Sequence, residues 1–326
     1  MEEPVVHVVD AADSTLVDEV VGLTSGDPQA PRLSDGRTRA LRAVARGGDV
    51  PGFVAALARR PEDGRLIAYA QADRSEEHGD DQPTATVELA VPEALSGGPA
   101  GAVETADLLL EAVVDAIGSR GGTRLRLWVH DAGTDDDRRA GAFGFVPERE
   151  LLQMRCHLPI PDDGRPADPE VVTRAFRVGR DEEAWLAVNN RAFDGHPEQG
   201  GWDLDTLRTR EKEPWFDADG FRVLELDGAM VGSCWTRIHR DTDPAMGEIF
   251  VISVDPGAHG HGWGRALTRD GLRWLADGGL TTGMLYVDSA NAAAVALYRS
   301  MGFAVHHVDR AYLRPVLPDP AFTANR

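Results

Sequence analysis

The sequence has very little lysine and an excess of acidic residues. Lys212 is the only lysine among 326 residues, so arginine supplies nearly all of the positive charge. Aspartate and glutamate together number 54 against 34 basic residues, and the formal net charge is −20. A surface of this sign repels the phosphate backbone of nucleic acid, which selects basic proteins. We therefore do not expect a nucleic-acid partner.

Cysteine and long apolar runs are also scarce. Cys156 and Cys234 are the two cysteines, too few and too far apart for a disulfide framework or a metal site. Cys234 lies in the apolar run Met230–Trp235, where a small core residue is expected and not a nucleophile. No segment has the length of a membrane span, and the N-terminus MEEPVVHVVD is acidic where a signal peptide would be basic. These features predict a cytoplasmic protein without metal or membrane partners.

A glycine-rich stretch, Gly247–Leu267, organises the second half of the chain. The apolar, β-branched run Glu248–Val254 predicts a strand, which Asp255 and Pro256 end because proline cannot donate to a sheet ladder. Four glycines follow within eight residues, and a helix is predicted over Arg265–Ala276. Backbone N–H groups that converge at a helix N-terminus bind anions, most often phosphate. The turn alone leaves open both a phosphate site and a plain connection.

A second motif lies downstream, where a strand (Met284–Val287) leads into a helix (Ala292–Ser300) that ends before Gly302 and Phe303. Read together, VDPGAHGHGWGRAL and LYVDSANAAAVALYRSMGF resemble the GNAT acetyltransferases, which are acetyl-CoA-dependent N-acyltransferases. His259 stands where the family's pyrophosphate loop usually has glutamine or arginine, whereas the two diagnostic glycines are present. The resemblance implies an α/β fold with a mixed sheet and acetyl-CoA as co-substrate.

The resemblance also implies specific roles for residues of these motifs. Glu248 would be the base that deprotonates the amine, and Tyr298 the acid that protonates the departing thiolate. The residues that would contact acetyl-CoA are Ile252, Ser253, Val254, His259, Gly260, His261, Gly262, Trp263, Gly264, Arg265, Asn291, Ala292, Ala293, Ala294, Val295 and Ala296. The imidazoles of His259 and His261 are expected to face solvent and to bind no metal. Structural alternatives stay open: a solvated carboxylate for Glu248, a core ring for Tyr298 and an N-cap for Asn291.

The order of predicted elements in the second half repeats that of the first half. Landmarks such as Pro92 and Pro256 lie roughly 160 residues apart, which indicates two copies of one fold in tandem. The sequence therefore predicts two tandem GNAT folds, with domains at 1–158 and 170–326 and a linker at 159–169 that is rich in Pro, Asp and Gly. Two copies in one chain could form the pair that single-domain relatives make by dimerising, so a monomer is expected.

The first copy lacks the residues that would carry the chemistry. Ala140 occupies the position of Tyr298, and Glu88 does not lie at the offset from the strand end that Glu248 has. We therefore interpret the first copy as non-catalytic. It would shape the substrate site or hold a second acetyl-CoA.

A polar, glycine-bounded loop, NNRAFDGHPEQGGW at Asn189–Trp202, shows no core pattern and is typical of a ligand-organising loop. Together with the segment CWTRIH it resembles the tandem-domain GNAT enzymes of actinobacteria. The resemblance implies acetylation of the cysteinyl amine of cysteinyl-glucosaminyl-inositol, giving mycothiol and CoA. The substrate-binding residues it implies are Asp35, Glu198, Arg237, Glu248 and Tyr286. Arg237 replaces an expected lysine and Asp35 an expected glutamate, and the fork of arginine differs in reach and geometry from the ammonium group of lysine.

Two other functions stay open at this point. One is a GNAT enzyme that acetylates another small amine, such as an aminoglycoside-like sugar or a peptide N-terminus. The other is a non-catalytic acetyl-CoA-binding sensor. The presence of both Glu248 and Tyr298 argues against a sensor.

Overall fold

The computed structural model describes residues 3–23, 33–74, 83–161, 172–195, 199–240 and 242–319. The chain folds into two compact units: unit 1 combines residues 1–149 with 309–326, and unit 2 comprises residues 150–308. Within the described ranges, no helix has the length and apolar character needed to cross a bilayer.

Unit 1 is a mixed sheet with helices packed on it. Its elements are β1 (Val5–Val9), α1 (Ser14–Gly22), α2 (Asp35–Ala45), β2 (Val54–Arg59), β3 (Leu66–Asp73), β4 (Thr84–Ala90), α3 (Glu93–Ser96), α4 (Pro99–Ser119), β5 (Thr123–Val129) and α5 (Thr134–Ala142). The strands lie in the order β1-β2-β3-β4-β5. Only β4 and β5 among these pair in parallel, because the long helix α4 provides the crossover between them. The apolar face of α4, with Leu109, Leu110 and Val113 fully buried, forms the core with the sheet.

Unit 2 is built in the same way. Its elements are β6 (Val146–His157, beginning in unit 1), β7 (Val172–Ala175), α6 (Glu182–Ala192), α7 (Leu204–Arg210), β8 (Phe221–Leu226), β9 (Ala229–His239), β10 (Met246–Val254), α8 (Trp263–Asp277), β11 (Thr282–Asp288), α9 (Ala292–Ser300) and β12 (Ala304–Val316, ending in unit 1). The strands lie in the order β6-β11-β10-β9-β8-β7. The β10–β11 pair is parallel, with α8 as its crossover.

The two faces of the unit 2 sheet are packed differently. On one face α8 lies so close that a Cβ at Gly271 would come within 2.5 Å of the sulfur of Cys234. Cys234 is fully buried there, as its sequence context predicts. A second core consists of aromatic rings around Trp235, whose indole stacks on Phe221 at 4.4 Å. This aromatic cluster supports the strands that carry the site.

The boundaries of the two compact units differ from those of the two domains predicted from the sequence. The reason is that two strands pair outside the copy to which the sequence assigned them. The strand predicted at the end of the first copy, Glu150–Leu158, pairs with β11 in unit 2 as part of β6. The strand predicted at the end of the second copy, Ala311–Val316, pairs with β5 in unit 1 as part of β12. Order along the chain does not reveal such an exchange, since a strand joins whichever open edge offers the matching register. Of the linker predicted at 159–169, residues 162–169 lie outside the described ranges.

Candidate active site

The central parallel strands of unit 2 are paired over only part of their length. The β10–β11 ladder joins Gly247–Ile249 to Gly283–Leu285. A bulge between Ile249 and Val251 then shifts the register of β10 on β9, and a bulge of this kind bends the strand that contains it. Both strands continue beyond the ladder, β10 to Val254 and β11 to Asp288. The β11-facing edge of Ile252–Val254 can therefore pair with an extended ligand as an added strand would.

The loop after β10 is fixed by one carboxylate. The Oδ1 atom of Asp255 accepts a hydrogen bond from the Gly257 N–H at 2.9 Å. Its Oδ2 atom accepts two from the Arg191 guanidinium of α6, at 2.9 and 2.5 Å. The hydrogen bond from Arg191 lowers the pKa of Asp255 below its ordinary value. The carboxylate thus stays charged at neutral pH and ties the loop to α6.

Glycines shape the remainder of this loop. Gly260 and Gly262 adopt φ values of +87° and +82°, in the left-handed region that favours glycine. Gly262 is the N-cap of α8, which begins at Trp263, two residues earlier than predicted. The first N–H groups of a helix have no partner within it, so this end of α8 can bind an anion.

The two loop histidines stabilise the turn. His259 Nε2 lies 3.1 Å from the Val254 carbonyl oxygen, and His261 Nδ1 lies 3.0 Å from the carbonyl oxygen of His259. The ring of His261 also stacks on Trp263 at 4.7 Å. Both histidines are exposed, in agreement with the sequence-based expectation.

Three of the predicted substrate residues share one face of the unit 2 sheet. Glu248 lies opposite Arg237 on β9 and beside Met284 on β11. Side chains two residues apart on a strand point to the same face, which places Tyr286 on the face of Met284 and Glu248. Glu248 is buried, with 6% of its surface exposed, whereas Tyr286 is 39% exposed. A carboxylate, a guanidinium and a phenol therefore line one surface across three neighbouring strands.

Two of these side chains are held by neighbours that the sequence did not single out as functional. Gln153 on β6 donates from Nε2 to the Tyr286 hydroxyl at 2.7 Å. Arg155 Nε in turn donates to Gln153 Oε1 at 2.8 Å. The guanidinium of Arg237 lies 4.9 Å from the ring centre of Trp215. Sequence reasoning missed the β6 pair because it assigned that strand to the first copy.

The imidazole of His239 also reaches the carboxylate of Glu248. His239 Nε2 lies 2.8 Å from Glu248 Oε2. Arg237 comes two residues before His239 on β9, so the alternation of the strand places both side chains on the same face. The segment CWTRIH shows this spacing, which places His239 on the face of Arg237, whereas the contact with Glu248 also requires the register of β9 on β10.

Tyr298 and Asn291 occupy the two ends of α9. Tyr298 is 6% exposed, and its ring centre lies 5.8 Å from that of Phe303. Burial raises the pKa of Tyr298 well above the ordinary value for tyrosine, so its phenol is protonated at neutral pH. Asn291 Oδ1 accepts a hydrogen bond from the Ala294 N–H at 3.1 Å, which confirms the N-cap. Residues 292–296 form the first turns of this helix.

The other predicted substrate residues lie elsewhere. Asp35 is an exposed residue in unit 1, at the first position of α2 after the N-cap Ser34. Glu198 lies outside the described residues. The ends of its loop are anchored by two asparagines: Asn189 Nδ2 donates to the Gln199 carbonyl and Asn190 Nδ2 to the Trp202 carbonyl, each at 2.8 Å.

A cavity of about 320 Å³ lies in unit 2, lined by residues of α8, the end of α9 and the segment after β6. Its lining residues include the arginines Arg265, Arg269 and Arg299. Arg265 also donates a hydrogen bond to the hydroxyl of Ser300. The cavity therefore presents positive charge in a chain that is strongly acidic.

In unit 1, the carboxylate on the corresponding strand has its hydrogen bonds satisfied locally. Glu88 accepts hydrogen bonds from the N–H and the Oγ–H of Ser34, each at 2.7 Å. Burial acts to raise the pKa of Glu88, but the hydrogen bond with His130 and the nearby charges hold it below the ordinary value. Burial acts to lower the pKa of His130, but hydrogen bonds to Asp309 and Glu88 raise it to about 10. Ala140, at the position of Tyr298, is completely buried in α5.

The model of the Acetyltransferase (GNAT) family matches residues 184–303 of the chain. The chain is 41% identical over 312 residues to a protein named mycothiol acetyltransferase from Streptomyces griseus subsp. griseus, and the match covers 94% of each chain. Two solved structures share the fold. One is a GCN5-related N-acetyltransferase from Sphaerobacter thermophilus, with a TM-score of 0.63, 19% identity and coverage of 98% of this chain and 97% of that chain. The other is a tandem GNAT protein of clavulanic acid biosynthesis, with a TM-score of 0.65, 17% identity and coverage of 97% of this chain and all of that chain.

Proposed function

The chain belongs to the mycothiol acetyltransferase family, and on that premise we propose that it acetylates the cysteinyl amine of cysteinyl-glucosaminyl-inositol, giving mycothiol and CoA. It is an acetyl-CoA-dependent N-acetyltransferase with an α/β GNAT fold. The observation that carries the substrate proposal is the shared face of Arg237, Glu248 and Tyr286, which offers charge and hydrogen bonds to a polyhydroxylated amine.

The residues of unit 2 fit acetyl-CoA. The β11-facing edge of Ile252–Val254 suits the amide groups of the pantetheine arm, which would pair with it as a strand does. The N-terminus of α8 suits the pyrophosphate, and the arginine-lined cavity adds positive charge for further phosphate. Bound acetyl-CoA would supply the thioester carbonyl that the amine attacks.

Glu248 is proposed as the base. An aliphatic ammonium group must lose a proton before its nitrogen can attack a carbonyl. A carboxylate can accept that proton directly or through one water molecule, and Glu248 provides it at the middle of the three paired positions of β10 and β11. Arg237 and Tyr286 flank it on the adjacent strands, where they would hold the hydroxyl groups of the sugar and orient the amine.

Tyr298 is proposed as the acid that protonates the thiolate of CoA. Its raised pKa keeps the proton on the phenol until a strong base forms beside it. A thiolate released in a site shielded from water is such a base, since it has lost its hydration. Packing against Phe303 fixes the direction of the phenol.

Unit 1 is proposed to be non-catalytic. Its carboxylate at Glu88 already accepts hydrogen bonds from Ser34 and contacts His130, and Ala140 has no acidic group. Asp35 and Glu198 are proposed as further substrate ligands on the basis of family resemblance alone.

The test is the release of CoA from acetyl-CoA with cysteinyl-glucosaminyl-inositol, compared with cysteine, glucosamine and spermidine. CoA is separated by chromatography, because the pseudo-disaccharide itself carries a thiol. We expect kcat/KM to be at least about a hundredfold higher for the pseudo-disaccharide than for any control amine. Equal rates with the control amines would contradict the substrate assignment and leave the acetyltransferase chemistry in place.

Arg237→Lys restores the residue that the resemblance led us to expect. If Arg237 binds the substrate, this change alters KM for the pseudo-disaccharide and leaves KM for acetyl-CoA unchanged. An equal effect on both KM values would contradict a substrate role.

A further inference from the structure

His239 forms the one hydrogen bond that the Glu248 carboxylate makes within the described part of the chain. The distance from Nε2 to Oε2 is 2.8 Å. Only 8% of the Glu248 side chain is exposed, against 19% for His239. The carboxylate is therefore largely shielded from water, and the imidazole is its hydrogen-bonding partner from the protein.

Strand geometry dictates this contact. His239 lies opposite Met246, and Glu248 lies two residues further along β10 on the same face. The two side chains are thus diagonal neighbours across an antiparallel pair, within reach of a long side chain. The charged or titratable side chains that share this face on the neighbouring strands of the sheet include Arg237 on β9, Tyr286 and Asp288 on β11, and Arg155 and His157 on β6.

We propose that His239 is a positioning residue for the base, holding the Glu248 carboxylate in one orientation by donating its Nε2–H to Oε2. This inference rests on the proposed role of Glu248. A carboxylate that makes one fixed hydrogen bond through Oε2 keeps the other oxygen, Oε1, available for the ammonium proton of the substrate. Without the imidazole, the carboxylate of Glu248 would rotate about the terminal bond of its side chain. A smaller fraction of the enzyme molecules would then hold an oxygen atom in position for the substrate amine.

The role of the imidazole can be separated from a purely structural one. A residue that orients the base acts on the chemical step, so its loss lowers kcat and leaves KM for acetyl-CoA unchanged. A side chain that restores only the N–H donor should restore kcat, whereas a purely structural role would depend on the size and shape of the side chain.

The experiment compares His239→Leu with His239→Gln. Leucine removes the donor, whereas the amide of glutamine keeps an N–H and cannot titrate near neutral pH. We expect His239→Leu to lower kcat roughly tenfold to a hundredfold and to leave KM for acetyl-CoA unchanged. We expect His239→Gln to keep kcat/KM within about threefold of the wild type. The matched control is His7→Leu, at an exposed position of β1 in unit 1, which should leave kcat unchanged.

Two results would overturn the proposal. The first is an unchanged kcat in His239→Leu. The second is an equal loss in the glutamine and leucine variants, because donation of a hydrogen bond would then be irrelevant. Glu248→Gln, measured in parallel, separates this inference from the function on which it rests. If Glu248→Gln retains activity the base assignment itself fails, whereas an inactive Glu248→Gln with a fully active His239→Leu refutes only the role of His239.

Discussion

Tyr298→Phe removes a single oxygen atom and tests the acid in the proposed mechanism. The ring is buried against Phe303, and phenylalanine preserves that packing. Among the described residues, no side chain or backbone group hydrogen-bonds the phenol, so the free energy of unfolding should change by less than about 1 kcal/mol. Loss of a general acid lowers kcat about 10²- to 10⁴-fold, which corresponds to roughly 3 to 5 kcal/mol of barrier.

The raised pKa of Tyr298 adds a constraint on the pH dependence. Burial keeps the phenol protonated far above neutral pH, so the fold loss should be the same from pH 6 to pH 9. The assay is chromatographic CoA release at saturating substrates, with KM for acetyl-CoA and urea unfolding measured on the same samples. The matched control is Tyr69→Phe, which removes the same atom from a buried tyrosine of unit 1. The hydroxyl of Tyr69 donates a hydrogen bond to Gln71 Oε1. A loss below about threefold in Tyr298→Phe, or an equal loss in the control, would refute the acid role.

Three further predictions follow from other parts of the structure. Gly271→Ala should destabilise the protein by about 1–3 kcal/mol, because the new Cβ would meet a sulfur atom at 2.5 Å. A Cβ added at Gly141 on α5 would have no other atom within 4 Å, so Gly141→Ala should instead stabilise the protein by about 0.5–1 kcal/mol. Changes of the same sign in the free energy of unfolding of the two variants, measured in urea, would contradict this. Arg191→Ala should raise KM for acetyl-CoA roughly three- to tenfold at unchanged kcat, since it frees the loop carboxylate of Asp255, and an unaltered KM would contradict that role. His130→Gln should lose most stability relative to the wild type at about pH 6 and least near pH 10. A group whose folded pKa is raised, here to about 10, contributes its stability in full below the unfolded value of about 6.5 and loses it as pH rises through the folded value; a pH-independent difference in urea unfolding would contradict this.

Most of the individual elements could be predicted from local sequence. The N-cap of α2 at Ser34 follows from hydroxyl chemistry, and its Oγ accepts a hydrogen bond from the Arg37 N–H as such a cap requires. Local sequence also predicts the strand before Asp255 and the turn that leads into α8. The apolar, β-branched run is typical of a buried strand, and the closely spaced glycines are typical of a turn. These features depend on neighbours along the chain.

The remaining features depend on neighbours in space. The sequence could not show that Gln153 lies beside Tyr286, because their contact arises from the pairing of β6 with β11, which brings together two residues 133 positions apart in the chain. The bulge between Ile249 and Val251, which shifts the register of β10 on β9, has no glycine or proline to mark it. The contact between His239 and Glu248 requires the register of a hairpin, and a shift by one residue would place the two side chains on opposite faces.

The exchanged strands have a consequence for the order in which the protein can assemble during synthesis. Unit 1 includes Asp309–Val316, of which Arg310–Val316 pair with β5, so its sheet is completed only after residue 316 has left the ribosome. A nascent first half exposes the free edge of β5, and an exposed edge is prone to pair with other chains. The segment beginning at Glu150 meanwhile waits for β11, which is synthesised much later. Cutting the gene between the two sequence repeats would therefore yield two fragments that each lack a strand, and co-expressed fragments should regain a folded protein where either fragment alone does not.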